Sequence, residues 1–326
     1  MPISAQTTPT DSPSHLRLSR RTLLKGVGGL AAASVIGGGA VVAGSAPAQA
    51  AVTVAEHEDH GRMQYYKLTT SSVGWLPRVN VLLPDGYDTS RRYPVLFLLH
   101  GGGENYSTFD TKYDIRNHTA GRDLIVVMPD GGAAGWYCDP ESSNVGPRNW
   151  ETFHIKELIP WVDATFATTG QASGRAISGF SMGGFGALKY AAKYPELFGS
   201  VSSHSGPADL RIQDGAVVHW ANFTAGATDL KGGTIYGIPL DQARVSADNP
   251  VEHVESYRGK RIFLVCGTDS DRYESIVLPS QRSFEKALDG AGIGYERYED
   301  TGAHIVRWGR MQQDIDSLLN HFAKAG

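Results

Sequence analysis

The chain has 326 residues, with 30 Lys+Arg against 34 Asp+Glu, 41% hydrophobic and 20% charged residues. That balance excludes a disordered tail protein, a collagen and a polytopic membrane protein, and a net charge of −4 without a long basic run lacks the electrostatic footprint that nucleic-acid binding requires. Cys138 and Cys266 are the two cysteines, too few for a disulfide scaffold or a four-Cys zinc site, and they leave one optional bridge or two separate thiols.

In chain order, the first segment reads as an address. Ser19-Arg20-Arg21-Thr22-Leu23-Leu24-Lys25 precedes an apolar, Gly- and Ala-rich run from Val27 to Ala46 and a small-x-small site at Ala48-Gln49-Ala50. This resembles a twin-arginine export signal, with residues 1–50 removed and residues 51–326 forming one domain. The run has many Gly and few Leu or Phe, which suits a signal better than a permanent anchor, so no stable membrane insertion is expected after cleavage. Cleavage removes four basic side chains and one acidic one, taking the net charge to −7.

From Arg62 onward, short apolar runs alternate with helical periodicity, the pattern of an α/β fold whose mostly parallel central sheet is covered by helices on both faces. Met63–Leu68 and Val79–Leu83 are expected as an antiparallel pair at one edge, and the polar His57-Glu58-Asp59-His60 before them as a solvated tail. Pro94–Leu99 is apolar at every position, as a strand buried on both faces must be. Leu124–Met128 is another such strand. Apolar residues at helical spacing run from Trp150 to Phe166. Strands are then expected over Arg175–Phe180, Gly199–Ser203, Arg261–Val265 and Tyr295–Tyr298, and helices over Met182–Tyr194, Glu274–Leu288 and Trp308–Phe322. Residues 205–257 break this rhythm, and so long an irregular stretch implies a small cap over a site.

Gly179-Phe180-Ser181-Met182-Gly183-Gly184 lies between a strand and a helix, the setting in which G-x-S-x-G holds a serine oxygen clear of the sheet on a strained turn. A serine hydroxyl needs a base, and His304 fits, in a loop between the last expected strand and the last helix. An acid should follow the strand ending at Val265, where the turn offers two carboxylates; Asp271 is preferred and Asp269 is the alternative. His100-Gly101-Gly102-Gly103 follows a buried strand, and its glycines let backbone N–H groups face a developing oxyanion. Gly102 and Met182 are assigned to that hole, with Gly103 the fallback. His100, Trp136, Tyr137, Trp150, Trp220 and Trp308 are candidates for the pocket wall.

At these residues the chain resembles the putative-esterase family of α/β-hydrolases, which includes formylglutathione hydrolases, feruloyl and acetyl-xylan esterases and the antigen 85 mycolyltransferases. The likeness runs from about Met63 to Phe322 and is carried by Val127–Gly132, Trp150-Glu151-Thr152-Phe153 with Glu157-Leu158, Gly179–Gly184 and Gly302-Ala303-His304. It implies the α/β-hydrolase fold, Ser181 as nucleophile, His304 as base, and the N–H groups of Gly102 and Met182 as the hole. Esterase members place an aspartate three residues after the glycine of the acid turn, where Ser270 stands, whereas the mycolyltransferase branch uses a glutamate farther along. At His100 the mycolyltransferases have an acidic residue. The resulting expectation is an exported carboxylic ester hydrolase working through an acyl-serine without metal or cofactor, on a small-molecule, carbohydrate or lipid ester. Its alternatives are an acyltransferase moving an acyl group to a sugar hydroxyl and a catalytically silent binding protein of the same fold.

Overall fold

A strand that is apolar at every position can be stable only with both faces covered, and the two cores of this molecule are built from that fact. The computed structural model describes residues 52–325, so the export segment, residues 1–50, lies outside the described residues. In β4 (Val95–Leu99), Val95, Phe97 and Leu99 enter one core while Leu96 and Leu98 enter the other. In β5 (Ile125–Pro129), Ile125 and Val127 likewise part from Val126 and Met128. The period of two sends alternate residues to opposite faces. The helices Met182–Lys193 and Glu274–Ala291 and the helical stretch 150–165 supply the first core; Trp308–Ala325 and the loop after β4 supply the second.

The remaining strands are β1 (Thr53–His60), β2 (Met63–Thr69), β3 (Arg78–Leu82), β6 (Arg175–Phe180), β7 (Ser200–His204), β8 (Arg261–Gly267) and β9 (Glu296–Asp300). They form one sheet in the order β1-β2-β3-β5-β4-β6-β7-β8-β9. The first three connections across the sheet are antiparallel and the rest parallel. The chain runs from β4 outward to β5 and then returns to β6 on the other side of β4. That reversal opens a crevice at the carboxyl ends of β4 and β6, where open α/β sheets bind ligands.

Two expectations change. His57-Glu58-Asp59-His60 is no tail but part of β1, paired antiparallel with β2 through backbone bonds and exposed throughout. His57 stacks on Tyr66 while His60 contacts Glu58, so the two imidazoles work on different neighbours. The irregular stretch 205–257 contains the helices Ile212–Ala227 and Gln242–Asp248 and a 3₁₀ segment, Pro250–Tyr257. It is fastened to the core by a buried charge cluster. Lys189 Nζ lies 2.7 Å from Glu151 and 3.2 Å from Asp248, and Lys193 Nζ lies 2.7 and 2.8 Å from the same two carboxylates. No helix among the described residues is long and apolar enough to cross a membrane.

Candidate active site

Ser181 stands between β6 and the helix Met182–Lys193 at φ 56°, ψ −119°, a left-handed conformation that costs a non-glycine residue about 1–3 kcal/mol. The neighbouring glycines hold it there. A Cβ at Gly179 would overlap the Gly183 backbone, and one at Gly183 would overlap the Leu99 carbonyl. The Ser181 N–H donates to the His204 carbonyl at 2.8 Å, tying the turn to β7. The hydroxyl is thereby held at the helix N-terminus, where unpaired N–H groups and the helix dipole favour negative charge.

His304 Nε2 lies 2.7 Å from Ser181 Oγ. Its ring packs between Phe180 and Tyr273, with centroids 4.9 and 5.1 Å away. The other ring nitrogen, Nδ1, faces Glu274 Oε1 at 3.4 Å, an electrostatic contact longer than an aligned hydrogen bond. Glu274 is 1% exposed. It accepts from Ser205 Oγ at 2.6 Å, from the Gly267 N–H at 3.1 Å and from Cys266 Sγ at 3.0 Å. Burial pushes its carboxyl up, but the contacts with His304, Ser205 and Cys266 outweigh that and hold it below the usual range.

The carboxylate at the imidazole is therefore neither Asp271 nor Asp269. Asp271 Oδ1 accepts from the N–H groups of Tyr273 and Glu274, at 2.7 and 2.8 Å, and Oδ2 accepts from the backbone N–H of His304 at 2.8 Å. Its oxygens are spent on backbone, where they anchor the loop that carries the ring. Asp269 Oδ1 accepts from the Gly302 N–H at 3.1 Å and does the same one turn earlier. The two aspartates position the histidine loop, and the glutamate that opens the next helix meets the ring. The sequence signal for this was the glutamate farther along the acid turn in the mycolyltransferase branch.

The loop after β4 spends its N–H groups selectively. Gly101 donates to Glu104 Oε2 at 3.0 Å, Gly103 to the Ala133 carbonyl at 2.7 Å, and Glu104 to the Gly101 carbonyl at 3.2 Å. Among the described residues the Gly102 N–H has no protein acceptor, and neither has that of Met182. The fallback donor, Gly103, is already committed. Gly102, Met182, Ser181 and His304 all border one cavity of about 500 Å³.

Of the candidate wall residues, Trp136 and Trp220 line this cavity. They meet edge to face at 5.0 Å, and Trp220 stacks on Tyr273 at 5.3 Å, so an aromatic wall runs from the loop after β5 across the inserted helix to the histidine. Thr224 of that helix and Thr228 just after it also line it. His100, Tyr137, Trp150 and Trp308 do not. The His100 ring is consumed internally, accepting the Gly131 N–H at Nε2 (2.9 Å) and facing the Gly101 carbonyl through Nδ1 (2.9 Å). Tyr137 and Trp150 are fully buried in the core, the latter against Gly132 and Gly135. Trp308 stacks on His118 at 4.4 Å. Sequence reasoning missed Tyr273, which follows directly from the acid turn, and Asp229, whose Oδ2 accepts from the Ala134 N–H at 2.8 Å and so holds the loop that engages Gly103. Cys138 and Cys266 are separate buried thiols.

An α/β-hydrolase fold with a serine, a histidine and a buried carboxylate in line at the carboxyl edge of its sheet defines the class. The family described as Putative esterase matches residues 70–315, and the chain belongs to that family. It is 56% identical over 277 residues to Esterase Rv1288 of Mycobacterium tuberculosis (strain H37Rv), a match covering 82% of this chain and 60% of that protein. The chain thus spans about three fifths of that relative's length. Diacylglycerol acyltransferase/mycolyltransferase Ag85A of Mycobacterium leprae is 26% identical over 331 residues, 94% of each chain. Among solved structures, an S-formylglutathione hydrolase from Agrobacterium tumefaciens superposes with a TM-score of 0.67 at 19% identity, over 84% of this chain and 99% of its own. That likeness is one of fold.

Proposed function

We propose that the chain is a carboxylic ester hydrolase acting through an acyl-serine intermediate. Ser181 Oγ attacks the ester carbonyl carbon while its proton passes to His304 Nε2, and Glu274 stabilises the imidazolium through Nδ1. The carbonyl oxygen, now carrying the negative charge, accepts from the N–H groups of Gly102 and Met182. The tetrahedral species collapses, and the alcohol leaves with the proton from His304. Water then attacks the acyl carbon, giving its proton to the same nitrogen, and Ser181 is released with the acid. The observation that carries this reading is the 2.7 Å approach of Nε2 to a hydroxyl held at positive φ. The high identity to a named esterase supports it, and the aromatic wall suits an ester with a broad apolar face. Ser181→Ala is expected to lower kcat on p-nitrophenyl esters by on the order of 10⁶-fold; turnover at the wild-type rate would overturn the mechanism.

A second reading, acyl transfer to a sugar hydroxyl, draws on Glu274 as the carboxylate and on the full-length likeness to Ag85A. Product analysis of ester turnover with and without a sugar acceptor separates the two, transfer exceeding hydrolysis favouring the second. We further propose that the domain works outside the cytoplasm, which rests on Arg20-Arg21 and the apolar run after them. Arg20→Lys with Arg21→Lys is expected to leave the esterase in the cell fraction, and undiminished export would refute the route.

A further inference from the structure

Most polar side chains around the cavity of Ser181 are already spent on the protein itself. Glu104 accepts from the Gly101 N–H at 3.0 Å, from Lys112 at 3.0 Å and from Tyr113 Oη at 2.9 Å, so a carboxylate and an ammonium cancel on one wall. Thr224 Oγ1 accepts from Trp136 Nε1 at 3.0 Å and donates to the Trp220 carbonyl at 2.9 Å, and Thr228 Oγ1 donates to the Thr224 carbonyl at 2.8 Å. Besides Ser181 and His304, three lining side chains are left over. Among the described residues the Arg272 guanidinium, Tyr273 Oη and Trp220 Nε1 have no hydrogen-bond partner, and Arg272 has no carboxylate to pair with. Asp271 beside it has both oxygens on backbone N–H groups.

The three are neighbours. Arg272 lies over the Tyr273 ring at 4.7 Å, and Trp220 stacks on the same ring at 5.3 Å. A guanidinium and an indole N–H only donate, and a phenol can donate as well, so what this cluster lacks is an acceptor. It also holds a full positive charge with no counter-charge from the protein. An anionic oxygen group answers both needs. Because Arg272 is exposed at the mouth, water screens the attraction and holds its worth to a modest factor. Tyr273 packs on His304 with ring centroids 5.1 Å apart, which puts the cluster on the histidine side of Ser181. The departing oxygen of an ester takes its proton from that histidine, so the alcohol part is the one that passes these rings. We propose that the alcohol part of the ester carries a carboxylate or phosphate group, received by Arg272 with Tyr273 Oη and Trp220 Nε1 as further donors. This specificity rests on the ester-hydrolase reading given above and adds to it the class of the leaving group.

The test compares acetate esters that differ in charge but hardly in shape. 4-Acetoxybenzoate and its neutral isostere 4-acetoxybenzamide form one pair, and 4-acetoxyphenylphosphonate supplies the phosphate-like group. For at least one of the anions, the ratio of kcat/KM, anion over amide, is expected to be about tenfold higher in wild type than in Arg272→Gln. Arg272→Lys, which keeps the charge, is expected to hold most of that ratio. The intrinsic reactivity of each leaving group is the same in every variant and cancels from the comparison. The anion with the larger change names the group that the site prefers. p-Nitrophenyl hexanoate and mono-p-nitrophenyl adipate differ by a carboxylate at the acyl end, and their ratio is expected to be the same in wild type and Arg272→Gln. Anion-over-amide ratios unchanged by Arg272→Gln overturn the proposal and leave the esterase reading intact. So does a ratio that moves for the adipate alone. Should the wild-type protein cleave none of these esters, the esterase reading fails and this specificity with it.

Discussion

Glu274 and Asp271 are three residues apart and both carboxylates reach His304, but one touches the ring and the other its backbone N–H. They should fail differently. Glu274→Gln removes the charge that faces His304 Nδ1 and, under the proposed mechanism, is expected to lower kcat by about 10⁴-fold with KM little changed. Asp271→Asn gives up one of the two acceptor oxygens that anchor the loop but touches no atom of the ring, and is expected to cost about tenfold or less. Steady-state kinetics on one p-nitrophenyl ester would compare them, and a larger loss in Asp271→Asn would reverse the assignment. The sequence made Ser181 and His304 legible because their roles demand particular neighbours: glycines packed against backbone in one case, a loop at the end of a strand in the other. The acid was not legible from the turn itself. Asp269 and Asp271 lie where an acid belongs, and only the direction of their oxygens shows that they serve the backbone. The wall was one third legible, since Trp136 and Trp150 read alike in sequence and both are buried, and only the fold puts Trp136 alone at the cavity.

At the level of elements, the inserted stretch contributes Trp220, Thr224 and Thr228 to the cavity and also reaches past it through Asp229. Asp229 holds the Ala134 N–H, the preceding Ala133 carbonyl holds the Gly103 N–H, and that bond fixes the loop on which the Gly102 N–H is left free. Burial pushes the Asp229 carboxyl above the usual range, and the Ala134 and Ala133 N–H groups only partly offset it. Asp229→Ala is expected to lower kcat by about 10- to 100-fold, a fraction of what losing a whole oxyanion donor costs, with KM nearly constant. Asp229→Asn, which retains the acceptor, should recover most of the rate in the same assay. The apolar strands were readable because burial on both faces leaves no other composition. β1 was not readable, since Glu56, His57, Glu58, Asp59 and His60 face solvent and only backbone pairing to β2 makes them a strand. The stretch from Trp150 to Phe166 was expected as a helix, yet Phe153–Leu158 within it is π-helical. Pro160 follows it and has no N–H to give the carbonyl one turn back.

For the molecule as a whole, stability at low pH should depend on a buried network beneath the sheet. Asp314 of the last helix receives Arg261 at 2.8 Å, His204 at 2.9 Å and Ser202 at 2.7 Å, joining that helix to β7 and β8. Burial pushes the Asp314 carboxyl up, but Arg261 and His204 more than reverse this and hold it at about 2. A carboxylate depressed on folding stabilises the native state above its unfolded value, about 3.9, and loses that contribution as pH falls toward its folded one. The stability gap between wild type and Asp314→Asn, measured by urea unfolding, is expected to shrink by on the order of 2 kcal/mol between pH 6 and pH 2. A gap that stays constant would show that the charge of Asp314 does not matter to folding.

Burial of the two cysteines has a practical side. The thiol of Cys138 is pushed up to about 12 and that of Cys266 higher still, so at neutral pH neither is a thiolate open to alkylating reagents. Ser173 is exposed just before β6, while Ser181 lies just beyond the far end of the same strand, about 20 Å away. A cysteine placed at 173 would therefore be the one thiol that maleimides find. Through it the protein could be tethered to a bead or a sensor with its mouth turned outward.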